Sequence, residues 1–174
     1  MVDSITTLKH WTGKTRSTII YDSTVDEFTN KGLFDKVKGR PNIAIFATTT
    51  DGDVFGGFYN VAVSKQRIGF YDPNMFVFSF ESHGRCATPQ RFVANLWRRG
   101  NVYVCFNPGD VNNGFVYFGA YTGFGIGGEK RKTWCGEVSK TFEGLQDTTL
   151  TGRCGTCSNG PYHHCTRIVA VQLS

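Results

Sequence analysis

DGDVFGGFYNVAVSKQRIGFYDPNMFVFSFES, from Asp51 to Ser82, is the stretch whose reading decides the fold. Asp51-Gly52 lies between IAIFATT and VFGGFY, and an Asp-Gly step accepts the positive φ that tight turns demand. The pattern predicts an antiparallel hairpin of Ile43–Thr49 with Val54–Tyr59. Asp72-Pro73-Asn74 then resets the chain for Met75–Phe80, a run too apolar for a half-exposed strand. It predicts a strand covered on both faces at the centre of the core.

Working outward, Thr6–Trp11 reads as a short helix stopped by Gly13, with Leu8 and Trp11 three apart as core anchors. Ser17–Tyr21 is β-branched and aromatic and predicts the first strand. From Thr24 the spacing of Val25, Phe28, Leu33, Phe34 and Val37 is helical, with Thr24 as N-cap, Glu27 completing a capping box and Gly32 as a weak point. Strands are expected at Val102–Phe106, Phe115–Tyr121 and Arg167–Leu173, with Arg91–Trp97 a strand or a turn. Gly123–Gly128, GFGIGG, lacks the lysine of a phosphate loop, so its glycines are expected to serve turns or close backbone approach.

A chain of 174 residues is the size of one domain and buries roughly two-thirds of its unfolded surface without help from metals. Fifteen Phe, seven Tyr and three Trp with 21 Gly favour many strands and tight turns over a helix bundle. The expectation is one mainly β domain over 1–174. No basic start leads into an apolar run, and no apolar stretch reaches about 18 residues, so neither secretion nor membrane insertion is expected. Six cysteines in such a chain are expected to be reduced thiols or metal ligands in the cytosol or nucleus, without a structural disulfide network.

Three places carry chemistry. Cys154 and Cys157 form a C-x-x-C, and His163, His164 and Cys165 return after a Gly-Pro turn. These thiol and imidazole donors fit one structural zinc ion, a redox-labile thiol cluster, or a plain reduced loop. Arg98, Arg99, Lys130, Arg131 and Lys132 form one basic face if their loops meet, which is the basis of an alternative nucleic-acid-binding role. The net charge of +5 is mild and does not decide this. His83 near Cys86 has the types of an activated thiol, but polar residues after a strand end are ordinary loop, and Cys105 in VYVCF reads as a small buried hydrophobe. No G-x-S-x-G, H-E-x-x-H or P-loop occurs, so no catalytic residue is assigned and a non-enzymatic role is expected.

Taken together, the anchor at Leu8, DGDVFGGFYN, DPNMFVFSF, the cluster GFGIGG, TFEGLQDTTL from Thr141, and the final strand resemble the TLDc domain over about Leu8 to Leu173. The specific pieces are Phe55-Gly56-Gly57 and Phe76–Phe80, with Gly123, Gly125, Gly127, Gly128 and Thr141-Phe142 in support. The resemblance implies a two-sheet antiparallel β-sandwich flanked by short helices, a cytosolic life in the oxidative-stress response, and binding to a protein partner, in several members the vacuolar proton-pumping ATPase. This chain departs from the family in having no Glu after Glu143 and in the insertion Arg153–Cys165.

Overall fold

A computed structural model of the chain describes residues 2–97, 102–108, 116–119, 123–127, 132–154, 156, 160 and 162–174. Its elements are α1 (Val2–Thr12), β1 (Ser17–Asp22), α2 (Asn30–Val37), β2 (Ile43–Thr49), β3 (Val54–Tyr59), β4 (Gly69–Tyr71), β5 (Phe76–Glu81), β6 (Gln90–Val93), β7 (Tyr103–Phe106), β8 (Val116–Gly119), β9 (Gly123–Ile126), β10 (Lys132–Cys135) and β11 (Tyr162–Leu173). The fold is mainly β, with eleven antiparallel strands among the described residues, hydrogen-bonded along β4-β7-β8-β9-β10-β11-β2-β3-β5-β6 and with β1 on the free side of β11.

β11 is the seam. Its start pairs with β10 through Tyr162–His164, and its remainder pairs with β2 from Cys165 to Gln172, with an irregularity between Cys165 and Arg167. One strand therefore belongs to both ladders, and the sheet turns over at that point. The two halves meet through Phe55 on Phe124 at 5.5 Å and through Tyr59 on Phe106 and Phe118, each at 6.3 Å. Aromatic pairs at such spacings contribute roughly 0.5–1.5 kcal/mol each beyond their burial.

The predicted hairpin is present with the register Ile43↔Tyr59 to Thr48↔Val54. Its connection is wider than a two-residue turn, because Thr49 N–H donates to Asp53 O and Gly52, at φ 91°, donates to Thr49 O. β5 is covered on both faces as its composition demands. Val77 enters the inner core, while Phe76 and Phe78 face an outer cluster with Leu8, Phe46 and Val171. It is not central in the sheet, however: β6 lies beyond it, at the end of the ladder. α1 roofs the outer cluster, with Leu8 fully buried and the Trp11 ring stacked on Phe80 at 5.8 Å.

The helix expected from Thr24 begins later. Thr24 N–H and Oγ1 both donate to the Asp22 carboxylate, which closes a turn instead of capping a helix. Thr29 is the true N-cap, its Oγ1 accepting from Gly32 N–H at 3.0 Å, and α2 then buries Leu33, Phe34 and Val37. Gly32 lies in this first turn, and a Cβ there would sit 2.7 Å from Glu27 O. Val25, expected on the apolar stripe, is exposed.

Arg167 clamps β11 to the end of β1, its Nε donating to Asp22 Oδ1 at 3.0 Å and its Nη2 to Oδ2. This guanidinium holds the Asp22 carboxyl down at about 2. A carboxyl depressed in the folded state stabilises above its ordinary pKa and loses that contribution as pH falls through the folded value. Stability is therefore expected to drop by about 1–2 kcal/mol between pH ~4 and ~2 through this group. Urea titrations across that window should show the drop in the native chain and not in Asp22→Asn; equal slopes would remove the clamp from the account.

Candidate functional site

The strongest sequence signal lies at the inner face of the hairpin. Gly57 in β3 faces β8 so closely that a Cβ would stand 2.5 Å from the Phe118 ring, while Gly56 lies against the Ile45 carbonyl and Phe46. The first four residues of GFGIGG are strand, and Gly123 serves the close backbone approach expected of these glycines. Gly123–Ile126 forms β9, buried throughout, with a Cβ on Gly123 excluded by the Phe118 carbonyl. Gly125 pairs with both Tyr117 and Trp134, Gly127 ends the strand at φ 75°, and Gly128 lies outside the described residues. The close approach of β8 leaves no room for a side chain at Gly123.

β11 begins five residues earlier than Arg167, at Tyr162, and its alternation sorts the cysteine and histidine donors. His163 and Cys165 point inward and are buried, His163 with its ring 5.5 Å from Phe55, while His164 faces out and is exposed. Cys154 is buried and disulfide-bonded, whereas Cys86, Cys105, Cys135 and Cys165 are in no disulfide. Cys154 is thus neither of the two states expected of the cysteines, reduced thiol or metal ligand, and C-x-x-C spacing lends itself to closure. Its partner and Cys157 lie outside the described residues. Among the described residues no group of three or more His, Cys, Asp or Glu side chains is gathered to hold a metal.

Of the basic set, Arg98, Arg99, Lys130 and Arg131 lie outside the described residues, and Lys132 is placed by its backbone, opposite His164 in the ladder. Cys105 is half-buried on the outer side of β7 with its Sγ 3.6 Å from Asn107 Oδ1, whereas Cys135 is fully buried and its thiol is pushed up to about 12 by burial.

Over these elements the TLDc domain family model matches residues 2–167. The chain belongs to the TLDc domain family. No curated protein matches it. In this TLDc domain the match includes the hairpin, the glycine strand β9 and the first part of β11.

A cluster that the sequence reading missed lies at the tip of the same hairpin. Asp53 is buried and accepts from Arg85 Nη2, and its Oδ1 stands 2.8 Å from His83 Nδ1. Arg85 also donates through Nε to Thr149 O at 3.0 Å and through Nη2 to Leu150 O at 3.4 Å. His83 adopts φ 51°, and the Glu81 carboxylate accepts its N–H and that of Ser82. His83 thus turns to Asp53, and Cys86 packs against the core with its N–H bound to Ser82 Oγ. The second acid of Asp51-Gly52-Asp53 was the available signal; the partners are far away in sequence.

No described helix is long and apolar enough to cross a membrane.

Proposed function

We propose that this TLDc domain acts in the oxidative-stress response by docking on a larger protein rather than by catalysis, with the vacuolar proton-pumping ATPase as the partner to test, in the cytosol or the nucleus. The family match over 2–167 is the observation that carries the reading. A docking point is available at the end of β6. Trp97 is 92% exposed and Leu96 64% exposed, yet the turn beneath them is fastened. Asn95 N–H donates to Thr141 O, Trp97 N–H to Asn95 Oδ1, and Leu96 N–H to Glu143 Oε1. Arg98 and Arg99 follow in the sequence. Trp and Arg dominate interface hot spots, and a presented Trp loses little entropy on binding.

Immobilised domain is expected to recover ATPase subunits from native lysate, and Trp97→Ala to weaken capture roughly tenfold or more. Recovery of no subunit with or without peroxide excludes that partner, and unchanged capture by the variant moves the contact away from Trp97.

The disulfide at Cys154 supports a second reading, in which the insertion is redox-responsive and its reduced form takes one structural zinc ion. Cys154 is buried ahead of β11, His163 and Cys165 are buried among its first residues, and a sulfur held in a disulfide does not serve as a zinc thiolate. Reduced protein prepared without a metal-binding tag is expected to carry one zinc by elemental analysis and native mass spectrometry, and oxidised protein none. Metal-free reduced protein with freely titrating thiols ends the zinc proposal.

A further inference from the structure

A recess of about 250 Å³ opens where the last turn of α1 meets the ends of β3, β5 and β6. Its floor is apolar. Phe58, Met75 and Phe76 are buried there, and the Trp11 ring stands edge-on to Phe76 at 6.1 Å and 90°. Pro73, Asn74, Arg91 and Val93 form its rim, and all four are exposed, so the recess opens to solvent.

Arg91 supplies the charge of this site, and its place is fixed. It pairs with Phe78 across β5 and β6, its Cζ lies 5.6 Å over the Phe76 ring, and its Nη1 donates to Trp11 O. A guanidinium laid on a ring keeps its in-plane N–H donors for a further partner. Nε and Nη2 have no acceptor among the described residues, and no described carboxylate pairs with Arg91.

The negative charge nearby is already met. At the C-terminal end of α1, Thr12 Oγ1 donates to Leu8 O at 2.8 Å and Arg91 takes Trp11 O. Asp72 is buried, and its carboxylate accepts from the N–H of Asn60, from Asn74 N–H at 3.0 Å and from Asn60 Nδ2 at 3.5 Å. No described Asp or Glu lines the recess, which holds instead the side-chain amide of Asn74 and the Oδ1 of Asn60.

These features narrow the occupant. One planar guanidinium matches one carboxylate through two parallel hydrogen bonds, whereas a phosphate monoester, near −2, is best held by several cations or backbone N–H groups. The apolar floor requires a hydrophobic body beside the charge. Pockets for drug-sized ligands run to about 300–1,000 Å³, so this smaller recess suits a single ring or a short chain.

We propose that the recess binds a small monocarboxylic acid with an aromatic or short aliphatic body, the carboxylate on the Arg91 fork and the body on Phe58, Met75 and Phe76. The site is separate from the Trp97 turn and from the cysteine insertion, and it does not depend on the ATPase reading.

The test is a titration of the ¹⁵N-labelled full chain, followed by NMR, with phenylacetate, hexanoate, the uncharged phenylacetamide and phenyl phosphate. An acid of about ten heavy atoms is expected to bind with a Kd of about 0.1–1 mM, moving the Trp11 indole and the Asn60 and Asn74 side-chain amide signals together. Phenylacetamide should bind roughly tenfold or more weakly, a comparison that needs no variant. Arg91→Gln should weaken the acids roughly 10- to 100-fold. Val93→Glu should abolish their binding, because residues 91 and 93 share one face of β6 and the new carboxylate would take the fork. Melting temperatures near that of the native chain show that both variants are folded. No shift at these three residues with either acid at about ten times that Kd overturns the proposal. So does equal binding of acid and amide, or undiminished binding by folded Arg91→Gln or Val93→Glu. Phenyl phosphate binding roughly tenfold tighter than phenylacetate overturns it in favour of a phosphate ligand. A peptide ending in a free Phe carboxylate that binds roughly tenfold tighter than phenylacetate overturns it in favour of a protein chain end.

Discussion

Gly57→Val is expected to leave little folded protein, since two γ-methyls would be driven into a ring with nowhere to go. A Cβ at this position already stands 2.5 Å from both the Cδ1 and the Cε1 of Phe118. Phe118 is fully buried and is held from the other side by Phe124, stacked at 5.2 Å and 21°. Overpacking a well-filled core costs roughly 1–3 kcal/mol where neighbours can yield, and this site should exceed that range because the obstacle is the body of a packed ring. Phe118→Ala alone should cost about 3–5 kcal/mol through the cavity it leaves. The double variant should be less destabilised than the sum of the two, because valine at 57 would occupy part of that cavity. Urea denaturation of the four proteins measures the coupling. Strict additivity would mean that Gly57 is needed for its backbone and not for the approach of β8.

Arg85→Met is expected to have the second largest effect, for an electrostatic reason. The Asp53 side chain is 2% exposed, and Arg85, 28% exposed, is its permanently charged partner. Removing one member of a buried pair leaves a carboxylate poorly compensated, and with the partial exposure of Arg85 the loss should be about 2–3 kcal/mol. Asp53→Asn, Arg85→Met should recover much of it, because no uncompensated charge remains. The change should also reach the cysteine insertion. Arg85 binds the Thr149 and Leu150 carbonyls, and a Cβ on Gly152 would lie 3.4 Å from its Nη1, so it fastens the segment leading into Cys154. Reduction of the Cys154 disulfide, followed by alkylation under native conditions, is expected to be faster in Arg85→Met. An unchanged rate would show that this segment is held by other contacts.

The sequence by itself determined whatever rests on near neighbours or on composition. The hairpin followed from Asp51-Gly52 between apolar runs, and the double covering of β5 from the unbroken apolar character of Phe76–Phe78. Leu8 and Trp11 as anchors followed from helical spacing, and family membership from motifs spread along the chain. Tertiary structure decided what depends on a distant partner. Gly123–Ile126 has the local preferences of a loop and is a strand because β8 and β10 flank it, with no side chain admitted at Gly123 where Phe118 O lies. Tyr162–Cys165, which reads as loop with its paired histidines, is strand because Thr133 and Trp134 supply a ladder partner. That pairing turns His163 inward and His164 outward, a choice that spacing alone left open. The helix cap moved from Thr24 to Thr29 because Arg167, far along the chain, fixes the Asp22 carboxylate that Thr24 then binds. Asp53, His83 and Arg85 meet only because two strand ends converge, and no periodicity in a single chain encodes which ends those are.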